Sequence, residues 1–395
     1  MNVAAAGVEG GGDVGSHAAL GCLLASGGLR MAMFAQVSEK ASSPTSAERS
    51  ASTANARTGF SLIELLVVIL IIAVVIAIVV PALGGARNIA RKQETSNLIT
   101  SLQQASIQFQ LDNRRAPGYF TAAEMGSAEN ATRGFSGMQN AMLDLAGSIV
   151  SGTPAGSQDV GPLAARQVRV DPILIGSKVG RSKNYYVPTA KFFKKQDGSE
   201  GGSRTSSVQG HIDIPELVDS WGMPILYWQL DTAALGTVAS ANDFARVESG
   251  PANNPTVSRF YWNNNATFLG RDSIGFKRVD QAADSLIGSG AGADRTISLA
   301  GILGSPGSPG PYIDSTSLNQ ILPSAGRGSF VIHAAGLNGV YTGRSERGGA
   351  LAAGGPLHYG LNFRNSSNAA HTDGALKNIS IDLASEFDDL IVGGN

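Results

Sequence analysis

Arg57-Thr58-Gly59-Phe60-Ser61-Leu62-Ile63-Glu64-Leu65-Leu66 runs without a break into an apolar stretch that continues to Val80 and meets Pro81. From Leu65 to Val80 sixteen residues carry no polar side chain. At about 1.5 Å per residue they span ~24 Å, short of the ~30 Å hydrocarbon core of a bilayer, so a crossing helix must include Phe60 to Ile63 or Ala82 and Leu83. Inclusion on the N-terminal side brings Glu64 to the membrane boundary. A carboxylate at mid-membrane costs ~2.5–3.5 kcal/mol on insertion scales, so one at this edge needs a reason. A plain anchor supplies none. A secretory signal peptide could end at Ala82-Leu83-Gly84, but its polar leader would be nearly sixty residues long, with an acid beside the apolar core.

Residues 57–66 resemble the prepilin processing motif of type IV pilins and type II secretion pseudopilins. The resemblance implies that a membrane prepilin peptidase cuts between Gly59 and Phe60, removes 1–59 as a leader, and that the new amine of Phe60 is methylated. Phe60 then becomes the first residue, Glu64 the fifth and Pro81 the twenty-second, positions where the family commonly has Glu and Pro. The residue types suit the chemistry. Gly59 offers no Cβ to obstruct an extended backbone in a peptidase site, and Phe60 gives an apolar start. Glu64 and Pro81 are the implied assembly residues. In a filament, Glu64 could pair with the N-terminal amine of a neighbouring subunit in low dielectric; snorkelling of Glu64 to the headgroups is the alternative. The implied partners are prepilin peptidase, other pseudopilins in a homo-oligomeric filament, and an inner-membrane assembly platform. The implied location is the inner membrane, single-pass, with the C-terminal body in the periplasm. Charge counting points the other way, with Arg57 on the leader side against Arg87, Arg91 and Lys92 beyond the span.

The chain has 395 residues, 30 Lys+Arg against 31 Asp+Glu and a net charge of −1, which argues against a nucleic-acid partner. Charged residues are 15%, below the roughly 25% of average domains, and there are 50 Gly. The only Cys is Cys22 within the leader, so no disulfide can form inside the chain. Residues 1–59 are rich in Ala, Ser and Gly, show no apolar period and read as unstructured. Leu20-Gly21-Cys22 has no basic-then-apolar run before it, which disfavours a lipoprotein signal.

The expected fold class is α+β, a pilin-like lollipop. It comprises a transmembrane helix over 60–83, an amphipathic stalk helix over 84–116, and a head over 117–395 built on an antiparallel sheet and enlarged by Gly/Ser/Pro-rich insertions. Leu98, Leu102, Ala105 and Phe109 form one stripe at i, i+4, i+7 and i+11. Arg114, Arg115 and Ala116-Pro117-Gly118 supply the stop, while Pro81 and Gly84-Gly85 suggest a bend. Leu111–Pro117 resembles the end of the long helix in the major pseudopilin of type II secretion, with Arg114 where Gly is usual and Ala116 where Tyr is usual. A further helix is expected over Gly134–Val150, and strands over Gln167–Ile175, Tyr185–Phe193, Ile225–Leu230, Arg259–Phe268, Ser329–Ala334 and Ala375–Leu383. Gly198–Ser207 and Gly288–Gly310 read as loops.

Asp219-Ser220-Trp221-Gly222-Met223-Pro224 resembles a corner of the same pseudopilins, in which Trp221 would fill the seam between helix and sheet. Trp228 and Trp262 read as core. Phe330–Tyr341 and Asp388-Asp389-Leu390 resemble the family's closing strand, turn and acidic pair. The resemblance implies a calcium ion (Ca2+) in this C-terminal loop, held by Asp388 and Asp389 with Asn338 as a weaker ligand. Calcium takes six to eight oxygens, so these supply only a start. His333, His358, His371 and Asp373 show no metal-binding spacing, and no phosphate loop or nucleophile elbow is present. The expectation is therefore a structural subunit and no enzyme: a pseudopilin, or alternatively a type IV pilin or minor pilin for adhesion, motility or DNA uptake. A membrane-anchored binding protein is the third class.

Overall fold

The structure is a computed structural model, and its described residues are 59–177, 183–196, 204–234, 236–247, 258–271, 273–274, 278–291, 294–309, 321–346, 356–359 and 382–394. Residues 1–58 with Cys22 and Arg57, the pair His371 and Asp373, residues 198–203, and all but the last two residues of the strand expected over Ala375–Leu383 lie outside them. The chain divides into two units, Met1–Leu65 and Leu66–Asn395.

One helix, Leu62–Asn113, accounts for both N-terminal helical expectations, with Pro81 inside it and no interruption at Gly84-Gly85. Its apolar half is long and apolar enough to cross a membrane, and every residue from Gly59 to Gln93 is exposed. Beyond Gln93 the character changes. Leu98, Leu102, Ala105 and Phe109 are all buried, joined by Thr95, Ile99 and Ser106. The stop falls where expected: Arg114 turns left-handed at φ 56°, and Arg115 forks onto Asp144 at 2.6 and 3.0 Å.

A three-stranded antiparallel sheet takes the order Leu226–Gln229, Phe330–Ala334, Leu390–Gly394, so the last strand in sequence lies beside the central one. Alternation along the central strand explains the architecture, because successive side chains point to opposite faces. Phe330, Ile332 and Ala334 pack with Leu98, Leu102 and Phe109 of the long helix and with Met138, Met142 and Leu145 of a short helix, Gly137–Leu145. Val331, with Leu226 and Trp228, packs on the opposite side with Phe244, Phe260, Phe268, Leu299 and Leu303. Much of the enlarged head is thus a second layer that covers the sheet's other face. The α+β class and the pilin-like order, long helix and then a small antiparallel sheet, are those expected.

Four local expectations are corrected. Gly288–Gly310 contains a helix, Asp294–Leu303, whose buried Leu299, Ile302 and Leu303 escape notice among the glycines. Tyr185–Phe193 is largely irregular, because Tyr185 and Tyr186 both donate their N–H to the Leu145 carbonyl at the end of the short helix; only Phe193–Lys194 pairs, with Glu216–Leu217. Arg259–Phe268 extends only through Phe260–Tyr261 before two helical turns, where Asn263 donates to the carbonyls of Gly126 and Ser127. Such side-chain bonds compete with a strand ladder. Gln167–Ile175 is a strand only over Arg166–Val170, since Asp171 caps a turn that begins at Pro172.

Candidate functional site

The processing segment lies in the first unit. Gly59 and Phe60 carry no regular secondary structure and are exposed, and the helix begins just after Ser61. A Cβ on Gly59 would meet open space, so nothing in the fold requires glycine there. Ser61 and Glu64 cap the helix reciprocally: the Ser61 N–H donates to Glu64 Oε2 at 2.8 Å, and the Glu64 N–H donates to Ser61 Oγ at 3.2 Å. This is a capping box, in which a Ser at the cap and a Glu three residues on satisfy two otherwise orphaned backbone donors. The Ser-Leu-Ile-Glu spacing carried that signal, and sequence reasoning missed it. Pro81 lies in the exposed part of the helix, in the second unit.

The C-terminal loop comes together from distant segments. Gly336 adopts φ +69°, and a Cβ there would meet the Asp388 carbonyl oxygen at 2.5 Å, so glycine is needed for this approach. Asp388 Oδ2 accepts the Asn338 N–H at 2.9 Å. The Asn338 side chain is engaged locally: Oδ1 accepts the Val340 N–H at 2.7 Å, and Nδ2 donates to Glu346 Oε1 at 2.5 Å. Asp389 Oδ2 accepts from His333 Nε2 at 3.0 Å and from the Thr342 N–H at 2.6 Å. Glu346, which the sequence did not single out, joins Asp388. Burial, and then the Asp388 and Asp389 carboxylates, push its pKa up to about 8.

Asp388 Oδ1, Asp389 Oδ1 and Glu346 Oε2 are buried without a hydrogen-bond partner. Oxygen donors of this kind fit a hard cation such as calcium. Among the described residues no three His, Cys, Asp or Glu groups are arranged to hold a metal. Calcium here would rest on Asp388 and Glu346, whose carboxyl groups stand together, with Asp389 next in sequence, and would neutralise adjacent carboxylates. Of the histidines, His333 is a buried partner of Asp389, and His358 is half-buried.

The Asp219–Pro224 corner meets the long helix as expected. Asp219 Oδ1 accepts the N–H groups of Trp221 and Met223 at 2.8 and 2.9 Å, Gly222 takes φ +82°, and Ser220 N donates to Thr95 Oγ1 at 3.1 Å. Behind it lies a buried polar network not foreseen from sequence. Arg204 Nη1 stands 3.4 Å from Glu216 Oε1, and Ser136 Oγ donates to the same oxygen at 2.6 Å. Burial raises the Glu216 pKa to about 7 against the pull of Arg204. His211 Nδ1 bonds the Arg133 carbonyl at 2.7 Å while Nε2 accepts the Gly161 N–H at 3.1 Å, so the neutral ring fits, and burial lowers its pKa to about 4.

Residues 54–80 match the family model described as the prokaryotic N-terminal methylation motif. Neither a curated protein nor a solved structure matches the chain. The matched segment contains Gly59, Phe60 and Glu64 and ends just before Pro81. The match supports a type IV pilin-like chain, with a motif that implies a prepilin peptidase substrate and an apolar helix consistent with a membrane anchor.

Proposed function

We propose that this chain is a structural pseudopilin of a type II secretion-like filament, cut after Gly59, methylated on Phe60, and assembled through its N-terminal helix. The observation that carries the reading is the helix itself, which is apolar and uncovered from Leu62 through Val80 and bears a carboxylate at its start. Such a surface must be covered by lipid before assembly and by other copies after it. The secretion branch draws support from Asp219–Pro224, which forms a tight corner against the helix, and from Leu390–Gly394, which closes the sheet as its third strand. The subunit is a building block whose partners are prepilin peptidase, an inner-membrane assembly platform and further copies, with its body in the periplasm.

The second layer over the sheet favours a different branch, a minor pilin whose enlarged head is its surface domain. Two measurements separate the steps. Mass spectrometry of the chain recovered from membranes is expected to show a methylated N-terminus at Phe60; a chain that still begins upstream refutes processing. Deleting the gene should abolish export of a secreted enzyme and leave twitching and DNA uptake intact. The reverse pattern assigns the minor-pilin role.

A further inference from the structure

A groove of about 720 Å³ opens where the head meets the long helix, next to the point at which the helix leaves its apolar half. Its lining includes Arg91 from the helix, Lys191 and Lys194 from the short strand Phe193–Lys194 and the turn before it, and Asp219, Ser220 and Trp221 from the corner. Arg91 is exposed. Lys191 forms an ion pair with Glu94, whose other oxygen accepts from Ser220 Oγ at 3.0 Å. The Asp219 carboxylate is turned inward, with Oδ1 on the Trp221 and Met223 amides. Trp221 is only 6% exposed, yet its indole N–H has no hydrogen-bond partner. A buried donor is ordinarily satisfied, so an unpartnered one lining a cationic groove points to an acceptor from outside the chain.

The height of the groove identifies the acceptor. Arg91 lies eight residues beyond Leu83, about 12 Å along the helix at 1.5 Å per residue. The headgroup layer adds about 5–8 Å to the hydrocarbon core on each side, and helical side chains tilt toward the N-terminus, here back toward the bilayer. The Arg91 guanidinium thus reaches the headgroup layer, with Trp221 lining the same groove. Arg87 and Lys92 add positive charge on the same exposed segment. These cations count against the expected orientation of the span, and a ligand for them gives them a reason to stand there.

We propose that this groove binds the phosphate headgroup of an anionic glycerophospholipid, with Arg91 and Lys194 as cationic contacts and the Trp221 N–H as a neutral donor. The bound lipid would dock the head against the membrane before assembly. The inference rests on the membrane-anchored reading of the helix.

The full chain in neutral-detergent micelles tests it by native mass spectrometry with phosphatidylglycerol or phosphatidylcholine added. Wild-type chain should retain one phosphatidylglycerol in preference to phosphatidylcholine. Arg91→Gln and Lys194→Gln should each weaken retention about fivefold, the equivalent of roughly 1 kcal/mol per cation near a charged bilayer. Trp221→Phe, which keeps an aromatic side chain and removes the donor, should weaken it while the chain stays folded by circular dichroism. Equal retention by all variants, or equal retention of both lipids, overturns the proposal. Inorganic phosphate that competes as well as phosphatidylglycerol would make this a free-anion site and overturn it too. Cross-links from position 91 to a second copy in place of lipid would do the same. Flotation with phosphatidylcholine vesicles checks the underlying reading separately: a chain that stays in the soluble fraction refutes the anchor itself.

Discussion

Glu64 shows how one side chain serves two scales. In the single chain its carboxylate is a helix cap, bonded to the Ser61 N–H at 2.8 Å. In the proposed filament it also pairs with a neighbour's amine, and substitution separates the roles. Gln at this position can still accept from Ser61 as part of a capping box but carries no charge. Glu64→Gln is therefore expected to be cut and methylated normally and to fail in filament formation, read as loss of the sheared filament fraction. Glu64→Ala should fail as well and in addition fray the first turn, a cap loss of about 0.5–2 kcal/mol. If Glu64→Gln assembles like the wild type, Glu64 is a cap and nothing more. Gly59 is the complementary case. The fold leaves room for a side chain there, so under the proposed processing any demand for glycine would come from the peptidase.

At the scale of elements, legibility followed periodicity. The stripe Leu98, Leu102, Ala105 and Phe109 was readable because a helix repeats its buried face, and all four are buried. The strands Leu226–Gln229 and Phe330–Ala334 were readable as β-rich apolar runs between turn signals. That they are apolar on both faces was the trace of the second layer, which no local pattern could specify. What escaped were elements decided by partners far off in sequence, such as the Tyr185 and Tyr186 amides on Leu145 and the Asn263 amide on Gly126 and Ser127. The buried network around the short helix Gly137–Leu145 belongs here too. His211 is held neutral between the Arg133 carbonyl and the Gly161 N–H, with its pKa lowered from 6.5 to about 4. Between those values the unfolded chain binds more protons, so this group's contribution to stability is complete above pH 6.5 and is lost as pH falls toward 4. The loss approaches about 3 kcal/mol at 1.36 kcal/mol per pKa unit. Comparison with His211→Gln isolates the group, because Glu216 titrates in both chains. Thermal melting from pH 7 to pH 4 should show the wild type losing ground to the variant. Parallel curves would mean that His211 does not titrate there.

For the whole molecule, the single cysteine, Cys22, has no partner within the chain, so the tail must be fastened without an intrachain disulfide. The fastening is distributed. Leu390–Gly394 pairs with the central strand, Gln103 Nε2 donates to the Gly393 carbonyl at 2.6 Å, and Arg327 grips Asp382. At the turn before that strand, Asp388 and Glu346 leave two buried carboxylate oxygens without partners, and like charges this close repel unless neutralised. A cation there would have only two side-chain ligands and would complete its shell with carbonyls and water. That describes a weak site, in the range of about 10⁻⁴–10⁻³ M found in extracellular modules. At calcium well above that range, linkage adds stability to the folded state alone, and the head should melt about 2–4 °C higher than in chelator. Glu346→Gln removes one of the two carboxylates and should remove most of the shift, while Asp389→Asn, whose ordinary partner is His333, should keep it. Magnesium should not substitute, because it demands a tighter octahedral shell than two side chains on separate segments provide. A midpoint identical in calcium and chelator would leave the tail held by strand pairing and ion pairs alone, with the Glu346 and Asp388 charges balanced by a proton.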